Sequence, residues 1–139
     1  MIASLLALLA ASALDLGTSP LAEPGHAHRW VEIQNDHEGI GWIDEAWRGE
    51  TEQEGKRLKL VLIRVDIRSP ETMKADLVMA ADCERNLLGI KDGYLFEAEF
   101  ASQMRIPIQG LTMDFADTPP SEGDMQVIDF ACGRTPTTK

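Results

Sequence analysis

The chain predicts an α+β domain: an antiparallel sheet of about five or six strands, with one C-terminal helix packed on one face and stapled to it by a disulfide. Three observations carry that expectation. From His28 to Phe100 the apolar residues come in short runs of strand length, most of them alternating with polar ones. After Pro120 the spacing changes, and Val127, Ile128, Ala131 and Cys132 fall at i, i+1, i+4 and i+5, a single stripe on a helix. The only two cysteines, Cys83 and Cys132, close a strand-like run and that helix-like run respectively.

Both cysteines point to apolar sides. Cys83 shares a strand face with Met73, Ala75, Leu77, Met79 and Ala81, and Cys132 lies on the helix stripe. A bridge would close a loop of about 50 residues, which the chain-entropy model values at roughly 4 kcal/mol, a large share of a small domain's stability. The alternative is two buried free thiols, since unpaired cysteine is among the most buried residue types. An oxidising compartment favours the bridge.

Taken in order, residues 1–22 read as a signal peptide and the start of a leader. Ile2 to Leu14 is continuously apolar and Leu-rich, then broken by Asp15, Gly17 and Pro20. It falls short of the roughly 20 apolar residues that span a bilayer, so the mature chain is expected to have no integral membrane segment. Cleavage is expected after Ala13, in the pattern Ala11-Ser12-Ala13, or after Ala22, where Pro20 weakens the pattern. No Lys or Arg precedes the apolar core, and no cysteine near the cut offers a lipid anchor. Residues 23–27 read as a flexible leader, residues 28–133 as the domain and residues 134–139 as a disordered tail.

His28 to Ile33 alternates as a first strand, Asn35 to Gly39 supplies turn chemistry, and Ile40 to Asp44 reads as a second strand, completing a hairpin. Glu45 to Gly55 reads as a polar loop, with Trp47 its one large apolar side chain. Lys56 to Ile67 is apolar on both faces at its centre, Leu58, Leu60 and Leu62 against Val61, Ile63 and Val65. This central strand needs cover on both sides, from this chain, a second copy or a ligand. Met73 to Cys83 is the next strand, Asn86 to Gly93 a turn, and Tyr94, Phe96, Ala98 and Phe100 line one face of a further strand. Short edge pieces are expected at Ile106-Pro107-Ile108 and Leu111 to Phe115. Ser121, with Asp124 three residues on, caps the terminal helix, which Gly133 and Pro136 stop.

Few constellations carry chemistry. His26 and His28 share a face if extended, and His37, Asp36 and Glu38 nearby add further metal-ligand types, but the spacing fits no closed tetrahedral motif and no metal is expected. Glu97 and Glu99 are i, i+2 on one strand face, a solvated pair rather than a glycosidase dyad, because nothing supplies the walls of a cleft. Gly39-Ile40-Gly41 lacks the helix of a phosphate loop and reads as a turn. No nucleophile elbow, HExxH or CxxC occurs, no catalytic residue is assigned, and no cofactor is called for. Trp42, Trp47 and Tyr94 are the candidate contact residues, Trp47 above all because it sits in a polar loop. The net charge of −10 and the lack of a Lys/Arg cluster argue against nucleic acid as partner.

The order of Trp30, Trp42-Ile43-Asp44, the Leu60 to Ile67 strand, Asp82-Cys83-Glu84-Arg85, the aromatic strand at Tyr94 and Phe96, and Pro120-Ser121 through Ala131-Cys132 resembles the surface-adhesin protein E family of small exported bacterial domains, over about residues 28 to 133. That resemblance implies an antiparallel sheet of about six strands, with the helix tied to it through the cysteines. Its named member binds host extracellular-matrix proteins. The expectation is therefore a non-enzymatic binding module, periplasmic, secreted or at the bacterial cell surface, with a protein partner from the envelope or outside the cell, or a homodimer covering the second face. The alternative is a small periplasmic ligand- or metal-binding protein with a pocket lined by Trp42, Phe96 or Tyr94.

Overall fold

A computed structural model of the chain describes residues 16–98 and 121–134. The apolar segment at residues 2–14, the edge pieces expected within 102–118, Glu99, Phe100 and the tail from residue 135 lie outside the described residues. The described elements are β1 (Trp30–Asp36), β2 (Gly39–Asp44), β3 (Gly49–Gln53), β4 (Lys56–Ile67), β5 (Met73–Asp82), β6 (Leu87–Ala98) and α1 (Glu122–Ala131). All six strands join one sheet, five of them in the order β1-β2-β4-β5-β6 with β3 paired to β4 off that path, and every pairing is antiparallel. The α+β expectation holds in this form.

β4 organises the sheet. Its C-terminal half, Ile63 to Ile67, pairs with β2, and its N-terminal half, Lys56 to Leu60, pairs with β3, so β2 and β3 share one edge end to end. β5 runs along the opposite edge from Lys59 to Ile67. Where β2 meets β4 the backbones crowd: a Cβ on Gly39 would lie 2.4 Å from the Asp66 carbonyl oxygen, so only glycine fits there.

Two local readings are corrected. The stretch read as a loop at 45–55 contains β3, joined to β4 by Glu54-Gly55, both at positive φ (54° and 80°). That is a tight hairpin turn. Glutamate at its first position hid it, and β3 carries no large apolar side chain to betray a strand. The turn expected at 86–93 is instead mostly β6, which starts at Leu87. The chain reverses at Cys83 to Asn86, where Asp82 Oδ1 accepts the backbone N–H of Glu84 and Arg85 and Asn86 adopts φ 56°.

The alternation of each strand sorts the core into two clusters. On one face Ile43, Val61, Ile63, Leu77, Ala81 and Leu88 cluster with Val127, Ile128 and Ala131 of α1. On the other Trp30, Leu58, Leu60, Leu62, Val78 and Ala80 are buried, with Leu16, Leu21, Ala22, Trp42 and Trp47 packed against them. The cover that the two-faced β4 requires therefore comes in part from this chain on both sides. Residues 16–22, read as the end of a signal or leader, form a strap over the second face.

α1 starts with a reciprocal capping box: Ser121 Oγ accepts from the Asp124 N–H at 3.1 Å, and the Asp124 carboxylate accepts from the Ser121 N–H at 3.2 Å. Its other end is tied three times. Cys132 is disulfide-bonded to Cys83, with Cα atoms 5.8 Å apart. Arg48 donates to the Phe130 carbonyl at 2.9 Å while its guanidinium lies 4.0 Å over the Phe130 ring. Arg134, placed by sequence at the start of the tail, donates to the Cys83 carbonyl at 3.0 Å and to Asn86 Oδ1 at 2.9 Å. The disulfide is compatible with an oxidising compartment. Among the described residues no helix is long and apolar enough to cross a membrane.

Candidate functional site

The polar chemistry of the second face begins with period two. His26, His28 and Trp30 fall at i, i+2 and i+4 on one side of an extended segment, and Trp30 pairs across β1–β2 with Asp44. The Asp44 side chain is fully buried between the two imidazoles. Its Oδ2 contacts His28 Nδ1 at 2.6 Å and His26 Nε2 at 3.0 Å, and its Oδ1 accepts the N–H of Arg29 at 2.8 Å and of Ala46 at 2.9 Å. Burial pushes this carboxyl up, but the N–H of Arg29, the His28 ring, the N–H of Ala46 and the His26 ring together outweigh it and hold Asp44 below its ordinary value.

The far side of the His28 ring fixes its tautomer. The Ser19 N–H points at Nε2 from 3.1 Å. A backbone N–H only donates, so Nε2 accepts, and the ring proton sits on Nδ1, where it meets Asp44. The ring stacks on Trp30 at 4.9 Å.

Two functional readings of this cluster can be tested against that geometry. The ligand atoms of His26, His28 and Asp44 lie within 4.8 Å of one another, close enough for three ligands of one ion. A metal on His28 Nδ1 would move the ring proton to Nε2, where it would oppose the Ser19 N–H. As arranged, the cluster fits a hydrogen-bonded latch and not a metal centre. Ser19, His28 and Asp44 also bring together the residue types of a charge-relay triad. Here Nε2 is engaged by the Ser19 backbone, Ser19 Oγ accepts the Leu21 N–H at 3.2 Å, and Ser19 is buried. The hydroxyl is committed to the turn, and the ring nitrogen that a base would use is already occupied.

Further along the face, register sets Trp42, Arg64, Asp76 and Tyr94 side by side on β2, β4, β5 and β6. Arg64 grips the fully buried Asp76 with Nε on Oδ1 at 2.6 Å and Nη2 on Oδ2 at 2.9 Å. Its remaining bonds reach the strap: Nη1 donates to the Leu16 carbonyl and Nη2 to the Thr18 carbonyl at 3.2 Å. Its Cζ lies 4.8 Å from the Trp30 ring centroid and 5.2 Å from that of Phe96. Beside it opens a groove of about 380 Å³, lined by Leu16, Thr18, Trp42, Arg64, Lys74 and Phe96 among others. Its lining residue Phe96 is 46% exposed and lies against Tyr94, 47% exposed, with ring centroids 5.1 Å apart.

Of the contact residues named from sequence, Trp42 is half-buried and lines this groove, and Tyr94 stands exposed against Phe96. Trp47 lies elsewhere, half-buried against the second-face cluster near Gly49 and Leu60. His26 and His28 do converge, on Asp44 and not on Asp36 or Glu38. Of the carboxylate pair, Glu99 lies outside the described residues. Sequence reasoning missed Ser19, Asp44, Arg64 and Asp76. The signals were the i, i+2, i+4 run at His26, His28 and Trp30, and single charges set within apolar strands.

No family model, curated protein or solved structure matches this chain.

Proposed function

We propose that this chain is a non-enzymatic, exported binding module, resembling the surface-adhesin protein E family, that holds a protein partner on the second face of its sheet. The observation that carries the reading is the exposed Tyr94–Phe96 pair beside the Arg64 groove. Large aromatic side chains next to a guanidinium are the residue types that dominate protein contacts. The disulfide supports export, and the occupied His28 nitrogen argues against a base there. The test is capture from the cell envelope by the wild-type chain and by a Tyr94→Ser/Phe96→Ser double variant. A protein retained by the first and lost by the second supports the reading, and equal retention by both contradicts it. Light scattering of the same sample identifies a second copy of the chain as the partner if the wild type is a dimer and the double variant a monomer.

The groove favours a second reading, a carrier of a small apolar molecule seated between Trp42 and Phe96, since about 380 Å³ lies at the lower end of ligand-pocket volumes. Native mass spectrometry separates the two. A constant mass increment lost in Trp42→Ala indicates a carrier, and the bare chain mass counts against one.

A further inference from the structure

Residues 16–22 are tied into the second face of the sheet at several points. Gly17 accepts the Trp30 indole N–H at 3.3 Å, the Leu16 and Thr18 carbonyls accept from Arg64, and the Ser19 N–H caps His28. Ser19 is 5% exposed, a turn closes from Ala22 N–H to the Ser19 carbonyl at 3.2 Å, and Leu16, Leu21 and Ala22 pack on the buried Trp30 cluster. Cleavage after Ala22 would remove all of this at once. It would strand two Arg64 donors, the Trp30 indole N–H and His28 Nε2, and uncover a tryptophan that is otherwise fully buried. Cleavage after Ala13 leaves every one of these contacts in place, and Ala11 and Ala13 are the small residues that a leader peptidase takes at the third and first positions before the cut.

We propose that the processing site is the bond after Ala13, and that the strap stays on the mature chain as the permanent cover of the second face beside the groove. The proposal rests on the reading of the chain as exported. It deepens that reading by fixing one wall of the binding face, because Leu16 and Thr18 line the groove.

The experiment expresses the full chain with its own leader and measures the intact mass of the product in the periplasmic fraction. A chain beginning at Leu14 is the expected result. A chain beginning at Glu23 leaves export standing and overturns the proposal. An uncut chain held in the cytoplasm overturns export itself, and the processing proposal with it. A second measurement compares purified chains starting at Leu14 and at Glu23. The shorter one is expected to melt lower by about 10 °C and to show stronger quenching of tryptophan fluorescence by iodide. Equal melting temperatures and equal quenching would overturn the strap's role.

Discussion

The Arg64 guanidinium and the Asp76 carboxylate meet in a two-point fork, 2.6 and 2.9 Å, in the middle of a sheet face, with no accessible surface left on Asp76. Two charges on adjacent strands are set here among apolar neighbours, and the Arg64 fork also holds the strap. Removing one partner leaves the other charge buried without compensation. Arg64→Ala is therefore expected to cost about 3–5 kcal/mol in urea unfolding, and Arg64→Met combined with Asp76→Leu clearly less than the single change. Equal losses in the two variants would show that the pair is not the source of the effect.

The bridge from Cys83 to Cys132 spans 49 residues of sequence. Replacing both cysteines by serine is expected to lower the unfolding free energy by about 4 kcal/mol. The same loss should follow reduction of the wild-type chain, and the serine variant should be indifferent to reductant. A reductant effect that persists in the variant would place the stabilisation elsewhere.

Asp44 sets a pH dependence with a definite sign. Its carboxyl is held below the ordinary 3.8, so the folded chain keeps the charge at pH values where the unfolded chain has begun to take up a proton. The stabilisation is complete above the unfolded value and is lost as pH falls through the folded one. The gap in urea midpoint between wild type and Asp44→Asn is therefore expected to be large at pH 7 and to shrink below about pH 4. A gap that widens on acidification would reverse the assignment.

At the start of α1, Ser121 and Asp124 cap each other. Ser121→Ala is expected to cost about 1 kcal/mol without touching the sheet, read as a lower melting temperature with unchanged partner capture. Tyr94→Ser with Phe96→Ser should do the opposite, staying within about 1 kcal/mol of wild type while losing the partner.

Period and capping made most of this architecture legible. The alternation of Met73 to Cys83 and the stripe at Val127, Ile128 and Ala131 predicted that both cysteines face one core, and the bridge is there. β3 was invisible because its five residues, Gly49 to Gln53, bury no large apolar side chain and its turn uses Glu54 where asparagine or aspartate is usual. The strap was unreadable for a different reason. Residues 16–22 have no periodicity, and they are held by backbone carbonyls and one N–H meeting Arg64, Trp30 and His28. Backbone groups leave no trace in a side-chain pattern. Of the site, sequence named Trp42, Tyr94 and the two N-terminal histidines, but not the buried acids Asp44 and Asp76 that organise them.

The most direct test of the proposed binding face is site-specific photocrosslinking in intact cells, with a photoreactive residue in place of Tyr94 on the sheet or of exposed Gln126 on α1. A discrete adduct with a second protein from position 94, and none from position 126, is the predicted result. An adduct from position 126 alone would contradict it, by placing the partner on the helix.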